Sequence, residues 1–276
     1  MNTWPAKWPH PRTRKRDVAV LAILAAAVPG SVVVGVIGLS DGRPQVLAFG
    51  ILIAVLFALA FVYHLLHSAR PQRCLGDISV TRNRDGEAVT RIRRSPVLFH
   101  LRTALMAGLT VLFTASAVDH YFAEEGTAAV LGTLIYILIA VFFGSYLLAV
   151  ATRGLAPGYV DLSPHGIVNR GWSFEAHMPW RNVLTVQAEH DRNHPQVLVI
   201  GDPERAWKHD YTVRLWRIDR LTVVPMLDID TRKFRIPPEV LYQALSHYFD
   251  SADSRRELGT QASVDRFSRW WPVPVS

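Results

Sequence analysis

Three clusters of acidic and histidine side chains offer this 276-residue chain its means of holding a metal ion or moving a proton. Asp119, His120, Glu124 and Glu125 bring ligand types suited to a divalent cation. Glu175 and His177, two residues apart, share one face of a strand. Glu189, His190, Asp191 and His194 crowd a turn, and a histidine pair four apart makes a metal site when it lies on a helix. Asn193 and Pro195 break that segment, so no helix is expected there. A solvated acidic turn accounts for the first cluster equally well, and polar side chains standing in water account better for the other two. Cys74 is the only cysteine, which excludes an intrachain disulfide and a cysteine zinc cluster. The chain has no Gly-x-Ser-x-Gly elbow, His-Glu-x-x-His helix or glycine-rich phosphate loop. The expectation is a protein without catalytic residues, metal or cofactor.

Arginine offers a different chemistry, the binding of anionic surfaces. Of thirty basic residues only Lys7, Lys15, Lys208 and Lys233 are lysine, a bias that points to GC-rich bacterial coding. The formal charge is +7, but its distribution argues against nucleic acid, which would call for a basic folded module. The first sixteen residues contribute +5, and Arg70–Pro96 has seven arginines against three acids, a net of +4. From Thr152 onward sixteen basic residues nearly balance fifteen acidic ones. Trp4, Trp8, Arg12, Arg14, Lys15 and Arg16 in the arm, with Arg82, Arg91, Arg93 and Arg94, are therefore expected at the headgroups of an anionic bilayer, a disordered arm that only holds its end in the cytoplasm being the alternative for the first six.

Those charges flank four uncharged or nearly uncharged runs, at 18–39, 45–66, 97–118 and 127–151. A run of 22 residues reaches about 33 Å, enough for a hydrocarbon core of about 30 Å. A basic start before Ala25-Ala26-Ala27 is like a signal peptide, but the apolar run continues well past it, so a retained helix is expected. Short polar turns at 40–44 and 119–126 make two antiparallel hairpins, 17–66 and 97–151. Ala27, Ser31 and Gly35 recur every four residues, as do Gly50, Ala54 and Ala58, and such stripes let helix backbones approach. Lysine and arginine number five in the arm, one in the first turn, seven in residues 67–96 and none in the second turn. Both termini and the central segment are thus expected in the cytoplasm, in a plasma-membrane protein. Arg102, a few residues inside the third run, is the one formal charge in the four, which disfavours an independent pump. Asp85-Gly86 reads as a two-residue hairpin turn, with Arg84 facing Glu87, Val80 facing Arg91 and Thr81 facing Thr90. A lone two-stranded hairpin is marginal in water, so this one is expected to dock on the carboxyl-terminal domain or on the lipid surface.

From Pro157 short β-branched segments alternate with turns, giving expected strands at 158–162, 167–170, 174–178, 183–190, 196–200, 211–217 and 221–227. Pro237-Pro238-Glu239 then opens a helix with Val240, Leu241, Ala244, Leu245 and Tyr248 on one face. Residues 251–276 are expected to form a helical or irregular tail, its basic-aromatic end, Arg266–Ser276, either resting on the membrane interface or disordered.

Within this tail, Leu162-Ser163-x-x-Gly166-Ile167 followed by Pro179-Trp180-x-x-Val183 resembles the pleckstrin-homology-like domains of bacterial membrane proteins. The four-run plan is similar to that of a set of actinobacterial integral membrane proteins. The resemblance covers about thirty residues and implies a small β-barrel over residues 157–250, capped by a helix, with no general catalytic residues. Ile167, Trp180 and Val183 are expected in its core. The function so implied is a non-enzymatic interaction or membrane-organising module whose partner is a protein, a headgroup or a second copy. The alternative is an accessory subunit of a transport or export complex.

Overall fold

Runs of leucine, valine, isoleucine and alanine this long satisfy their backbone polar groups internally in a bilayer only as helices. The computed structural model describes residues 5–8, 15–68, 75–123, 126–191 and 194–271. Its four long helices are α1 (Lys15–Ser40), α2 (Pro44–Ser68), α3 (Pro96–Ala123) and α4 (Thr127–Ala151). All four are long and apolar enough to cross a membrane, which makes this a multi-pass membrane protein. Helix α1 runs on through Pro29. Gly42 takes φ 76° in the turn between α1 and α2, and Gly126 takes φ 89° before α4.

The two hairpins pack by different means. In the first, Gly35 and Gly50 are buried against each other. A Cβ added at Gly50 would lie 2.7 Å from the Ser31 carbonyl and 2.8 Å from Gly35 Cα, so the helices meet backbone to backbone. Ala54 is buried on the same stripe, Ala27, Ser31 and Ala58 are half-buried, and the Ser31 hydroxyl donates to the Ala27 carbonyl at 2.8 Å. In the second hairpin rings fill the gap: Phe113 stacks on Phe143 at 5.8 Å, and His120 meets Tyr136 edge-on at 5.6 Å.

A separate unit is drawn from the described residues of Met1–Pro11, Arg70–Pro96 and Gly154–Ser276. It contains β1 (Ile78–Arg82), β2 (Ala88–Arg93), β3 (Tyr159–Leu162), β4 (Gly166–Arg170), β5 (Phe174–Pro179), β6 (Val183–Asp191), β7 (His194–Gly201), β8 (Lys208–Tyr211) and β9 (Met226–Asp230). One antiparallel sheet runs β1-β2-β3-β4-β5-β8 and a second runs β6-β7-β9; neither closes on itself. A one-turn 3₁₀ segment, Trp180–Asn182, carries the chain from the first sheet to the second. Helix α5 (Pro238–Asp250) buries Val240, Leu241, Ala244, Leu245 and Tyr248 in the core, as its apolar spacing predicts. Helix α6 (Gln261–Trp270) ends the described fold.

Three expectations change. The hairpin of β1 and β2 turns through three residues, 84–86, and pairs Val80 with Thr90 and Ser79 with Arg91. Asn83 Oδ1 accepts the N–H groups of Asp85 (3.0 Å) and Glu87 (2.9 Å), and Gly86 takes φ 80°, so the Asn83 side chain builds a longer loop than Asp-Gly alone requires. The register therefore slips by one residue. The sixth and seventh expected strands lie elsewhere, at 208–211 and 226–230. Between them 212–225 is irregular, because Asp219 is drawn into the interior and breaks the alternation a strand would need. The tail also differs: Phe267 of α6 is fully buried, and Trp270 packs edge-on against Tyr248 at 6.3 Å rather than standing free. The arginine-rich hairpin docks on the carboxyl-terminal strands, the first of its two expected sites. Strand β2 pairs with β3, so α3 and α4 are inserted in sequence between two neighbouring strands of one sheet.

Candidate functional site

The seam between β2 and β3 gathers the arginines. In β2, Ile92 points into the core while its neighbours Arg91 and Arg93 alternate away from it. Register sets Arg91 opposite Asp161. Their side chains form a two-pronged pair, Nε to Oδ1 and Nη2 to Oδ2, both 2.7 Å, with the guanidinium 3.9 Å from the Tyr159 ring centroid. The hydrogen bond to Asp161 pushes the Arg91 pKa up, keeping the cation firmly charged.

Two residues before α3, Arg94 is 3% exposed. Its backbone N–H continues the β2–β3 ladder to the Gly158 carbonyl at 2.9 Å. Its guanidinium donates to Asn169 Oδ1 at 2.8 Å and to Asp219 Oδ2 at 3.4 Å. Asp219 also accepts from the Lys233 ammonium and from the Trp172 backbone N–H. Burial alone would raise the Asp219 pKa, but Lys233 and Arg94 beside it and the hydrogen bonds it accepts hold the carboxyl below its ordinary range. Burial dominates at Arg94 and pulls its pKa down, against the nearby Asp219, Asp230 and Asp228.

Further contacts clamp the hairpin to the carboxyl-terminal part of the chain. Asp77, just before β1, is buried and holds Arg235 in a second two-pronged pair, with Nε to Oδ2 at 2.7 Å. Thr90 Oγ1 accepts the Gly259 N–H at 2.9 Å and meets the Ser263 hydroxyl at 2.7 Å, all buried. Gly259 has φ 81°, and an added Cβ would collide with the Ala88 carbonyl. Beneath them the Tyr248 hydroxyl donates to Glu257 at 2.8 Å, and Arg266 clasps the same carboxylate.

Trp8 and Arg94, expected at a lipid surface, lie inside the β unit. Trp8 is 2% exposed, donates its indole N–H to the Gln196 carbonyl at 3.2 Å and meets Tyr242 edge-on at 5.8 Å. An indole gains more from a pocket that also satisfies its N–H than from a wet surface. Arg91 is half-buried in its pair; Arg82 and Arg93 are exposed, as are Lys15 and Arg16. Trp4, Arg12 and Arg14 lie outside the described residues. Ile167 (0%), Trp180 (3%) and Val183 (7%) are core residues. The two motif pieces meet there: Trp180 donates its indole N–H to the Ser163 carbonyl at 2.8 Å and its backbone N–H to the His165 carbonyl at 3.1 Å.

Of the candidate ligands, Glu175 lies 3.5 Å from Arg84 and 3.7 Å from Arg170, and Glu189 pairs with Lys7 at 2.5 Å. Asp191 and His194 face each other across the β6–β7 hairpin. Asp119 and His120 end α3, and Glu124 and Glu125 lie outside the described residues. Among the described residues no three histidine, cysteine, aspartate or glutamate side chains converge on a point where an ion would sit. The seam acts as a lock, since its charged groups point at one another. Sequence reasoning missed Asp161, Asp219 and Asp77 because each gains its meaning from an arginine or lysine 14 to 158 residues away. No protein-family model, curated protein or solved structure matches the chain.

Proposed function

We propose that this chain is a non-catalytic plasma-membrane protein that presents a cytoplasmic pleckstrin-homology-like interaction module, binding a protein or a lipid headgroup. One observation supports the reading above the others. Described residues of three segments, Met1–Pro11, Arg70–Pro96 and Gly154–Ser276, pack into one β unit although four membrane-length helices interrupt them. Segments that share a core belong on one side of a bilayer, and the positive charge of the arm and of residues 67–96 supports the cytoplasm as that side. The pleckstrin-homology-like reading draws on the antiparallel strands ending in an amphipathic helix, and on the contact between Trp180 and the 162–167 turn. The open sheets, and the two strands that the β1–β2 hairpin adds to the first sheet, depart from a plain barrel. The non-catalytic reading draws on charged groups that are engaged with one another.

Reporter fusions at residues 96 and 276 are expected to report the cytoplasm, and an external signal at either overturns the topology. Crosslinking in native membranes followed by affinity purification tests the function. A partner recovered with the full chain and lost when exposed residues of the β unit are substituted supports it; turnover of a small molecule by the purified chain overturns the non-catalytic part. A second reading, a subunit of a transport complex, is favoured by the groove of about 550 Å³ between α3 and α4. Thr110, Thr114, Ala117, Ala140 and Gly144 line it, and small or short side chains of this kind let another helix approach closely. Recovery together with a transporter would favour it.

A further inference from the structure

We propose that the loop 212–225 is a bilayer-contacting surface, with Leu215, Val223 and Val224 entering the headgroup region and Arg214, Arg217 and Arg220 binding anionic headgroups. The inference rests on the helices being membrane spans, and on neither the pleckstrin-homology-like reading nor the side the unit faces.

Exposure is the first observation. In the β unit the exposed large apolar side chains among the described residues are Val80, Leu184, Leu215, Val223 and Val224, and the last three belong to this loop. Val223 is 89% exposed, Leu215 63% and Val224 58%. Apolar groups grouped this way on a folded unit mark a contact surface.

Charge is the second. The loop's single acid, Asp219, is buried and engaged with Arg94 and Lys233. What it shows to the outside is Arg214, Arg217 and Arg220, all exposed. Alternating arginine and aliphatic side chains suit the interface between headgroups and acyl chains, where the cation meets phosphate and the apolar group leaves water.

Position is the third, and it selects the bilayer over a soluble partner. The Thr212 hydroxyl donates to the Gly154 carbonyl at 2.6 Å, and Gly154 is three residues past the last residue of α4. Asp219 is held by Arg94, two residues before the first residue of α3. With about 3.8 Å between consecutive Cα atoms, each pin lies within roughly 12 Å of chain from the end of a membrane-length helix. The loop is also held in shape: Thr212 N–H donates to the Ser173 carbonyl at 2.9 Å, Asp219 N–H to the Ser173 hydroxyl at 3.1 Å and Leu221 N–H to the Tyr211 hydroxyl at 3.2 Å. Leu215 therefore lies between the two pins, beside the points where the chain leaves for the membrane, and Val223 and Val224 follow four and five residues past the second pin.

The test uses the full chain with Cys74→Ser and Val223→Cys, labelled with an environment-sensitive fluorophore and reconstituted in phosphatidylcholine nanodiscs with and without phosphatidylglycerol. The expected result is a blue-shifted emission that nitroxide-bearing lipid largely quenches and aqueous iodide does not, more so with phosphatidylglycerol. Arg214→Gln, Arg217→Gln and Arg220→Gln together should remove the phosphatidylglycerol dependence and its sensitivity to salt, with the thermal midpoint unchanged. A label quenched by iodide like free dye and untouched by nitroxide lipid overturns the proposal, as does one shielded only after a cytosolic fraction is added, which assigns the surface to a protein. Carbonate washing of native membranes separates the failures. A chain that stays in the membrane while its label stays in water leaves the spans standing and removes the loop contact; a chain that washes out removes both.

Discussion

Asp219 sits between Arg94 and Lys233 and also accepts the Trp172 N–H, so an asparagine there leaves two cations facing a neutral amide. Breaking such a buried arrangement from one side costs about 3 kcal/mol. Asp219→Asn should lower the thermal midpoint of the detergent-purified chain accordingly, and an unchanged midpoint would show that the charges are dispensable. The pH dependence has a definite sign. The Asp219 and Glu257 carboxyls are both held below their ordinary range in the fold, at Glu257 because hydrogen bonds from Arg266 and Tyr248 outweigh its burial. Their contribution is fully present above the unfolded value of about 4 and is lost as pH falls through the depressed folded value. Melting curves between pH 6 and pH 3 (roughly the carboxylate range) should therefore fall less steeply for Asp219→Asn than for the wild type. The arginines were legible as a basic run. Their carboxylate partners were not, because a pair such as Arg235 with Asp77 spans 158 residues and neither residue carries a local mark of the other.

Among the elements, the four long helices and α5 follow from local rules, namely unbroken apolar length and a 3.6-residue apolar period. In the first hairpin the close approach falls at Gly35 and Gly50, one member of each four-residue stripe. Gly50→Leu should destabilise it by about 1 to 3 kcal/mol, since the new side chain meets the Ser31 carbonyl and Gly35 backbone. Ala22→Leu, on an exposed position of α1, serves as the control and should change little; equal midpoints for the two variants would refute the close approach. The β1–β2 hairpin was legible as a hairpin but not in register. Asp-Gly favours a two-residue turn, whereas the Asn83 side chain, collecting two backbone N–H groups, enforces three. One residue of slip changes which side chains face the core. The same competition between local pattern and a buried anchor hides the 212–225 loop, whose alternating apolar residues imitate a strand.

For the molecule as a whole, the insertion of α3 and α4 between β2 and β3 predicts where the chain can be cut. Residues 94 and 158 are joined by a 2.9 Å backbone hydrogen bond, so a short Gly-Ser linker from residue 95 to residue 154 should replace the helices without disturbing the sheet. A chain of residues 75–95, linker and 154–271 should be monomeric with dispersed amide resonances. Residues 154–271 alone should aggregate, because β3 then presents an unpaired edge beside uncovered Val160 and Leu162. A monomeric, stable 154–271 fragment would contradict the role given to the hairpin. The sequence by itself determined the spans, the charge asymmetry across them, the amphipathic α5 and the general β character of the tail, since hydropathy, periodicity and turn chemistry act over a few residues. Only the tertiary structure decided that the arm, the arginine-rich hairpin and the tail form a single β unit, and that Trp8 and Arg94 lie inside it. Strand partners and buried ion pairs are chosen by what the rest of the chain brings near, and a one-dimensional pattern has no term for that.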